Sequence, residues 1–493
     1  MKLIKLLCLS CLLIILSLYF NGCGTVFSGN PQEVSVYIPF KNAKLIIDSV
    51  TIPIDSSYSG IGNKFKPTLI SDGEIKQVRI EVEGCKTKYL TMYTYRDFDE
   101  SYTFDRFHKF KYCDSMTKKL FVDEVTIAKN YSSKTYWYDE YPKRENPIMS
   151  ATIESLDMNG TMIENDVNEM MKKLNYIDTT NQVFIDNVNT LQLVASITGI
   201  KISTFATYSS TLLENEVSIV WALKNVYGDT LRIDTLTVIS DQFAVSYSSK
   251  NYYEIRNNTS KKYYTSTLDA VESSLHRFMD SLEKNNFLKY EPTTVEFKDK
   301  IVLSKPIKST TNVDDGMKST VTIKDKDGHG SGFLISNDGY IITNYHVVSK
   351  KNGEYSVVTN DGTSYKAKII RSNMAIDLAL LKVEGKFDNA FTLPVNQNYK
   401  IGEEVIAIGT PKSVQLGQSA SKGIVSGDRK HKGSSYLQTD LSVNRGNSGG
   451  PIILAKNGEL TGVVEFKLGG MGTEGVSFSI PAFEVMKALN LTY

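Results

Sequence analysis

The last third of the chain, from about Gly316 to Tyr493, consists almost entirely of short β-type runs separated by glycine-containing turns. Runs of this length joined by turns of this kind pack as antiparallel sandwiches or closed barrels. Only one helical segment is expected in this part of the chain, from Ala482 to Leu489. The pattern therefore predicts an all-β domain with a C-terminal helix over residues 313–493.

The first segment of this domain that can support chemistry contains a histidine. Residues 339–348 (GYIITNYHVV) are typical of an apolar strand that carries His346 at its end. An imidazole can take a proton from a hydroxyl and return it to a leaving amine near neutral pH. We therefore interpret His346 as a general base. The other four histidines have no such setting: His108, His276, His329 and His431.

A carboxylate opens the second segment. Asp377 precedes the apolar run 378–383 (LALLKV), where an ionised group is costly to bury without a dedicated hydrogen-bond partner. We expect His346 to be that partner, with Asp377 fixing the tautomer of the imidazole and stabilising the imidazolium. Taken alone, Asp377 could equally be an exposed residue at a strand edge. Asp361 and Asp388 are the competing carboxylates, and both stand in polar, turn-like sequence.

The third segment, residues 444–451 (NRGNSGGP), is a glycine-rich turn around a serine. Glycine permits the backbone angles of a tight turn whose N–H groups converge on a developing oxyanion. Ser448 is the expected nucleophile of this turn. The N–H groups of Gly446 and Ser448 are the expected oxyanion donors.

The three segments occur in the order histidine, aspartate, serine, which is the chymotrypsin-type order and differs from the subtilisin and α/β-hydrolase orders. Together TNYHVV, IDLALLKV and RGNSGGP resemble the HtrA/Deg group of trypsin-like serine proteases over about residues 316–493. The resemblance implies a chymotrypsin-like double β-barrel with a triad of His346, Asp377 and Ser448. It extends to residues 475–481 (GVSFSIP), a strand that lines the substrate cleft in such proteases.

The same resemblance implies the position of the specificity pocket. By analogy with the fold, Ser442 is expected at the floor of the pocket for the side chain that precedes the cleaved bond. Because Ser442 is not a carboxylate, a preference for Lys or Arg lacks its counter-charge. We expect a serine endopeptidase that works through an acyl-enzyme and cleaves after small or medium apolar residues. No metal or other cofactor is expected.

The N-terminus has the pattern of an exported protein. Two lysines precede an apolar run, residues 6–20, which is shorter than the roughly 20 residues of a membrane span and favours a signal peptide over residues 1–22. Gly22 and Cys23 follow, and a small residue before a cysteine at this place resembles the lipobox of bacterial lipoproteins. That resemblance implies lipidation of Cys23 and a membrane anchor. The expected location is the outer membrane facing the periplasm, with the outer face of a single membrane as the alternative.

The region before residue 313 divides by pattern. Residues 23–113 alternate apolar and polar positions and predict a small β domain, whereas residues 114–149 lack a clean period and predict a connector. Residues 150–290 combine two amphipathic helical segments with a hairpin and predict an α+β domain. Residues 291–312 are mostly polar and predict a linker. The expected fold is therefore multidomain, with the double barrel preceded by a β domain and an α+β domain.

Two cysteines, Cys85 and Cys113, remain beyond the predicted signal and Cys23. In an oxidising compartment they could form one disulfide. Two buried free thiols are the alternative, because the sequence does not place their Cα atoms.

Composition narrows the class of partner. Lys plus Arg number 56 and Asp plus Glu number 55, so the chain has no field that would attract a nucleic acid. The expected partners are polypeptide substrates and, through Cys23, a lipid membrane; the sequence leaves the oligomeric state open. Because most of the chain lies outside the protease-like segment, the alternative function is an envelope lipoprotein scaffold or binding protein with a latent or inactive barrel.

Overall fold

The chain folds into two compact units. A computed structural model describes the following residues: 13–17, 31–57, 59, 62–70, 75–93, 109–110, 112–128, 131–137, 158–177, 185–206, 210–246, 252–292, 295–326, 328–350, 353–410, 418–431, 434–443, 446–465 and 476–493. The first unit comprises Met1–Ile177, Leu193–Leu223 and Leu231–Lys289. The second comprises Asp178–Gln192, Lys224–Thr230 and Tyr290–Tyr493.

The N-terminal part of the first unit contains two antiparallel sheets. Its strands are β1 (Leu13–Ser17), β2 (Pro31–Ile38), β3 (Ala43–Ile47), β4 (Val50–Ile52), β5 (Asn63–Phe65), β6 (Thr68–Ile70), β7 (Ile75–Val82) and β8 (Lys88–Tyr93). One sheet has the order β1-β2-β5, with β6 also paired to β2, and the other has the order β4-β3-β7-β8. The alternating positions of β2 and β7 face a shared core, as in Val36, Ile38 and Ile80. Cys23 lies outside the described residues.

A larger sheet and two helices complete the first unit. The strands are β9 (Lys119–Ile127), β10 (Tyr131–Trp137), β11 (Thr190–Ala206), β12 (Ser210–Asn225), β13 (Thr230–Ile239) and β14 (Phe243–Ser246), and the helices are α1 (Gly160–Lys173) and α2 (Tyr252–Lys284). The sheet order is β10-β11-β12-β13, with β9 paired to β11 and β14 paired to β12. Helix α2 packs on β12, where Trp221 stacks on Phe278 at 6.1 Å and donates a hydrogen bond to Ser274 Oγ.

The stretch 114–149, for which the sequence predicts a connector, contains β9 and β10. Within β9 the residues Leu120, Val122 and Val125 are buried, so the number of positions from one buried residue to the next changes from two to three along the strand. That change obscures the period of two from which strands are recognised. Cys85 and Cys113 are both buried free thiols, the second of the two alternatives left open by the sequence.

The second unit contains two closed six-stranded barrels. Its strands are β15 (Ile301–Val302), β16 (Lys308–Ser309), β17 (Thr320–Lys324), β18 (His329–Leu334), β19 (Tyr340–Thr343), β20 (Tyr355–Val358), β21 (Ser364–Asn373), β22 (Leu378–Lys382), β23 (Asn389–Ala390), β24 (Glu404–Gly409), β25 (Ser419–His431), β26 (Ser434–Thr439), β27 (Pro451–Leu454), β28 (Leu460–Val464), β29 (Ser477–Pro481) and β30 (Leu491–Thr492). The barrel orders are β17-β18-β19-β22-β21-β20 and β24-β25-β26-β29-β28-β27. The predicted chymotrypsin-like double barrel is therefore confirmed.

A continuous apolar core joins the two barrels. It includes Phe333 and Leu380 from the first barrel and Ile408 and Ile453 from the second, all fully buried. Phe333 meets Phe391 edge to face, with ring centroids 5.4 Å apart. Because side chains from both barrels pack in this core, the core fixes the position of one barrel relative to the other.

Residues of the predicted linker 291–312 contribute to the second unit. Strand β15 pairs in parallel with β30, and β16 pairs in parallel with β23. The guanidinium of Arg371 donates to the carbonyl oxygens of Leu489 and Asp299, which joins this stretch to the C-terminal segment. Two-residue strands in polar sequence carry no recognisable period, so the sequence could not predict them.

The described residues of this unit form two α-helices, α3 (Val313–Ser319) and α4 (Ala482–Ala488). Helix α4 was predicted, whereas the short helix α3, which begins after the N-cap Asn312, was not. None of the helices in the described ranges combines the length and the apolar character needed to cross a membrane.

Candidate active site

His346 lies just beyond the end of β19 in the first barrel. It begins a 3₁₀ helix, His346–Val348, that turns the chain away from the strand. The side-chain amide of Asn344, two residues earlier, donates to the backbone oxygen of Asp377 at 2.9 Å. The strand end is therefore tied directly to the residue predicted to be the partner of His346.

Asp377 follows a second 3₁₀ helix, Met374–Ile376, and adopts a left-handed backbone conformation with φ of 54°. Aspartate is among the few residues other than glycine that tolerate this region. Its carboxylate is almost fully buried and accepts two hydrogen bonds from one residue: the backbone N–H of His346 at 3.0 Å and the ring Nδ1 at 2.7 Å. With Nδ1 as donor, Nε2 of the imidazole is left to accept a proton.

Ser448 lies in a tight turn of the second barrel, between Gly446 with φ of 98° and Gly449 with φ of 82°. A Cβ atom at Gly449 would come within 2.3 Å of the backbone oxygen of Ser331, so only glycine fits there. Ser331, on β18, donates from its backbone N–H to the oxygen of Ser448 and from its hydroxyl to the oxygen of Gly446. The first barrel thus holds the serine turn of the second in place.

A cavity of about 250 Å³ brings the predicted residues together: His346, Asp377, Gly446 and Ser448 all line it. Ser448 Oγ makes no hydrogen bond to His346 within the described part of the chain, and such bonds commonly shorten only when substrate is present. Ser442 is exposed and is not among the residues that line this cavity. Its role at the floor of a specificity pocket stays a prediction.

The N–H groups of Gly446 and Ser448 are available to a ligand. Both residues are buried, and neither N–H donates a hydrogen bond to another residue in the described ranges. Two such N–H donors beside a serine hydroxyl are an arrangement of the kind that stabilises an oxyanion in acyl transfer. The described residues contain no group of three or more His, Cys, Asp or Glu side chains placed to hold a metal ion.

Several side chains of the site were not found from the sequence. Glu465, buried at the end of β28, lines the cavity together with His346 and Ser448. A charged residue that ends the apolar run 460–464 was the signal that could have found it. Ser331, on β18, stands in the short apolar run before His346 and carries no signal of its own in the sequence. Tyr227 also lines the cavity, and no local pattern marks it.

The surroundings of His346 raise its pKa above the ordinary value. Burial alone would lower that pKa, because it disfavours the charged ring. The attraction of Asp377 and its hydrogen bond to the ring act in the opposite direction, with help from the charges of Glu465 and Asp229, and together they outweigh burial. The imidazolium is therefore stabilised, as acyl transfer requires.

This shift predicts a pH dependence. A general base must be neutral, so the reactivity of Ser448 falls as pH drops through the pKa of His346, with a midpoint above 6.5. Replacing Glu465 by glutamine removes one charge that raises the pKa and is expected to move the midpoint to lower pH. The measurement is the rate of Ser448 labelling by a fluorophosphonate from about pH 5 to 9. The matched control is Glu404→Gln, an exposed carboxylate. An unchanged midpoint in the Glu465→Gln variant would contradict the assignment.

The double barrel of the second unit matches a known protein family. The family model of the trypsin-like peptidase domain matches residues 330–463. The C-terminal part of the chain carries a trypsin-like peptidase domain. The match contains all three residues of the predicted triad, and both barrels of the peptidase domain contribute strands to it.

Several curated proteases are similar to about a third of the chain. Serine endoprotease DegS of Haemophilus influenzae is 36% identical over 203 residues, 38% of this chain and 57% of that protein. A probable periplasmic serine endoprotease DegP-like of Rhizobium meliloti is 40% identical over 160 residues, 31% of each chain. The magnetosome formation protease MamE of Paramagnetospirillum magneticum is 39% identical over 163 residues, 31% of this chain and 22% of that protein. The chain thus spans between 22% and 57% of the length of these relatives.

Proposed function

We propose that this protein is a serine endopeptidase that hydrolyses peptide bonds of envelope or extracellular proteins. The proposal depends above all on one cavity. It is lined by Ser448 and by His346 and Asp377, which are hydrogen-bonded to each other. The similarity to relatives named as serine endoproteases supports the proposal.

In the proposed reaction Ser448 Oγ attacks the carbonyl carbon of the scissile bond while His346 Nε2 takes the hydroxyl proton. Asp377 keeps the ring in the required tautomer, and the N–H groups of Gly446 and Ser448 hold the oxyanion. His346 then gives its proton to the leaving amine as the C–N bond breaks. Water, deprotonated by the same imidazole, hydrolyses the acyl-enzyme and restores Ser448.

The test is labelling of the purified full-length chain with a fluorophosphonate probe. Wild type is expected to be labelled at Ser448, and both Ser448→Ala and His346→Ala are expected to abolish labelling. The matched control is Ser364→Ala, an exposed serine in the first barrel. A folded wild-type protein that is not labelled would contradict the proposal and would favour the scaffold function with a latent barrel.

Specificity and location complete the proposal. Cleavage is proposed to follow small or medium apolar residues, since Ser442 offers no counter-charge to a basic side chain; dominant cleavage after Arg in a peptide-library digest would contradict this. Export is supported by the N-terminal pattern and by the similarity to a relative named as a probable periplasmic endoprotease. We propose lipid anchoring at Cys23 to the outer membrane facing the periplasm, which predicts fatty-acid incorporation that Cys23→Ser abolishes.

A further inference from the structure

The turn between β12 and β13 belongs to the unit that contains the peptidase domain, although it lies more than one hundred residues earlier in the chain. Its geometry is fixed by internal hydrogen bonds. Asn225 Oδ1 accepts from the backbone N–H groups of Tyr227 and Asp229, and the amide of Asn225 donates to the carboxylate of Asp229. Side-chain bonds of this kind hold a turn in one conformation without help from its neighbours.

Tyr227, in this turn, lies against the catalytic pair. Its ring is stacked on the imidazole of His346, with centroids 5.7 Å apart and 18° between the planes. The ring also meets Tyr345 at 5.4 Å. The Tyr227 hydroxyl donates to the backbone oxygen of Met374, three residues before Asp377, at 2.9 Å. One side chain is therefore fixed to both segments that carry the pair.

Two further contacts fasten the surrounding segments. Ser349 Oγ, three residues after His346, donates to Asp229 Oδ2 at 3.1 Å. Asn187, in the segment before β11, donates through its amide to the oxygen of Ala375 at 3.3 Å. Segments 185–192 and 224–230 are thus attached on the histidine side of the site. Both lie outside the residues that match the family model.

These two segments supply an apolar wall to the cavity. Ile185, Val226 and Tyr227 line it together with His346 and Ser448. Burial raises the pKa of Tyr227 well above its usual range, so the phenol stays neutral. Two of the charged residues that line the cavity, Asp325 and Lys350, are paired with each other at 2.6 Å. The cavity has a volume of about 250 Å³. Pockets for drug-sized ligands have volumes of roughly 300–1,000 Å³. The smaller volume of this cavity is suited to one amino-acid side chain of a substrate.

We propose that Tyr227, with Val226 and Ile185, forms a specificity-determining subsite beside His346. The subsite selects polypeptides with an uncharged apolar side chain next to the residue whose carbonyl is attacked. This inference rests on the proposed endopeptidase function. It assigns part of substrate recognition to segments that precede the peptidase domain in the chain.

The test is a peptide-library digest by the full-length protein, with every residue around each cleaved bond identified. Tyr227→Ala widens the subsite and is expected to shift the preference at one flanking position toward larger apolar side chains. The same change is expected to lower kcat/KM for the peptides that wild type prefers by about 10-fold or more, the usual effect of a lost apolar contact. Ile185→Phe narrows the subsite and is expected to shift the preference toward smaller side chains.

Two measurements separate this inference from the function on which it rests. A small alkyl fluorophosphonate reaches Ser448 without filling the subsite, so its labelling rate reports the catalytic machinery alone. Tyr290→Ala, a partly exposed tyrosine of the same unit that does not line the cavity, is the matched control for the digest.

Three outcomes would overturn the inference. One is an unchanged cleavage profile in both Tyr227→Ala and Ile185→Phe while labelling persists. A second is a uniform rise in cleavage of all peptides by Tyr227→Ala, which would mean that Tyr227 blocks the cleft. The third is a wild-type preference for Lys or Arg at the flanking position, which would assign recognition to Glu465. Absence of labelling in wild type would instead refute the endopeptidase function.

Discussion

Replacing Asp377 by asparagine is expected to reduce kcat for peptide hydrolysis by about 10⁴-fold. Asparagine tolerates the left-handed backbone at this position, and its side-chain oxygen can still accept from the backbone N–H of His346. The fold should therefore persist. The amide group, however, donates toward Nδ1, which favours the tautomer with the proton on Nε2. In that tautomer the imidazole cannot take the proton of Ser448.

The measurement is kcat on a peptide substrate found in the library digest, with near-ultraviolet circular dichroism to verify folding. Asp361→Asn is the matched control, because this carboxylate is exposed and, among the residues that the structure describes, bonds within its own turn to Thr359 and Thr363. It should retain wild-type activity. An Asp377→Asn enzyme that keeps more than about a tenth of the wild-type kcat would exclude the proposed role.

Phe333→Ala is expected to destabilise the second unit by about 3–5 kcal/mol, the usual cost of emptying a buried aromatic site. Phe333 is fully buried in the core between the barrels and contacts Phe391. Its loss leaves a cavity in the core that joins the barrel of His346 to the barrel of Ser448. Activity should therefore be lost at lower temperature than in wild type.

Tryptophan emission cannot follow this transition, because Trp137 and Trp221 both belong to the first unit. Differential scanning calorimetry and the temperature dependence of Ser448 labelling can follow it. Val395→Ala, at a side chain that is 73% exposed, is the control and should change the unfolding free energy by at most about 0.5 kcal/mol. Equal stability of the Phe333→Ala and Val395→Ala proteins would mean that the barrels do not depend on a shared core.

The sequence predicted those parts of the site whose chemistry depends on residue type within a local pattern. His346 ends an apolar strand, Asp377 precedes another, and Ser448 stands among glycines, so each segment carries its own signal. The all-β character of the domain followed from the same short runs, whereas the double barrel was implied by the resemblance to the HtrA/Deg proteases. Each of these signals depends on residues that lie within about ten positions of one another in the sequence.

Tyr227 and Ser331 could not be found in this way. Tyr227 follows a strand in an ordinary hairpin turn, and only the three-dimensional fold brings it to His346. Ser331 acts by tying its strand to the serine turn of the other barrel, a contact across 115 residues of chain. Two-residue strands such as β15 pair with equally distant segments. Contacts of this length depend on topology, which residue patterns do not encode.

The second unit is assembled from three separate stretches of chain, 178–192, 224–230 and 290–493. A chain is made, and threaded across a membrane, from its N-terminus onward. The first two stretches are therefore synthesised before the barrels with which they pack. Strand β15 can pair with β30 only after residues 491–492 have been added. Most of the first unit can fold during this interval. The candidate active site is therefore completed only after the stretch 290–493 has been added, and the first unit is synthesised before that site exists.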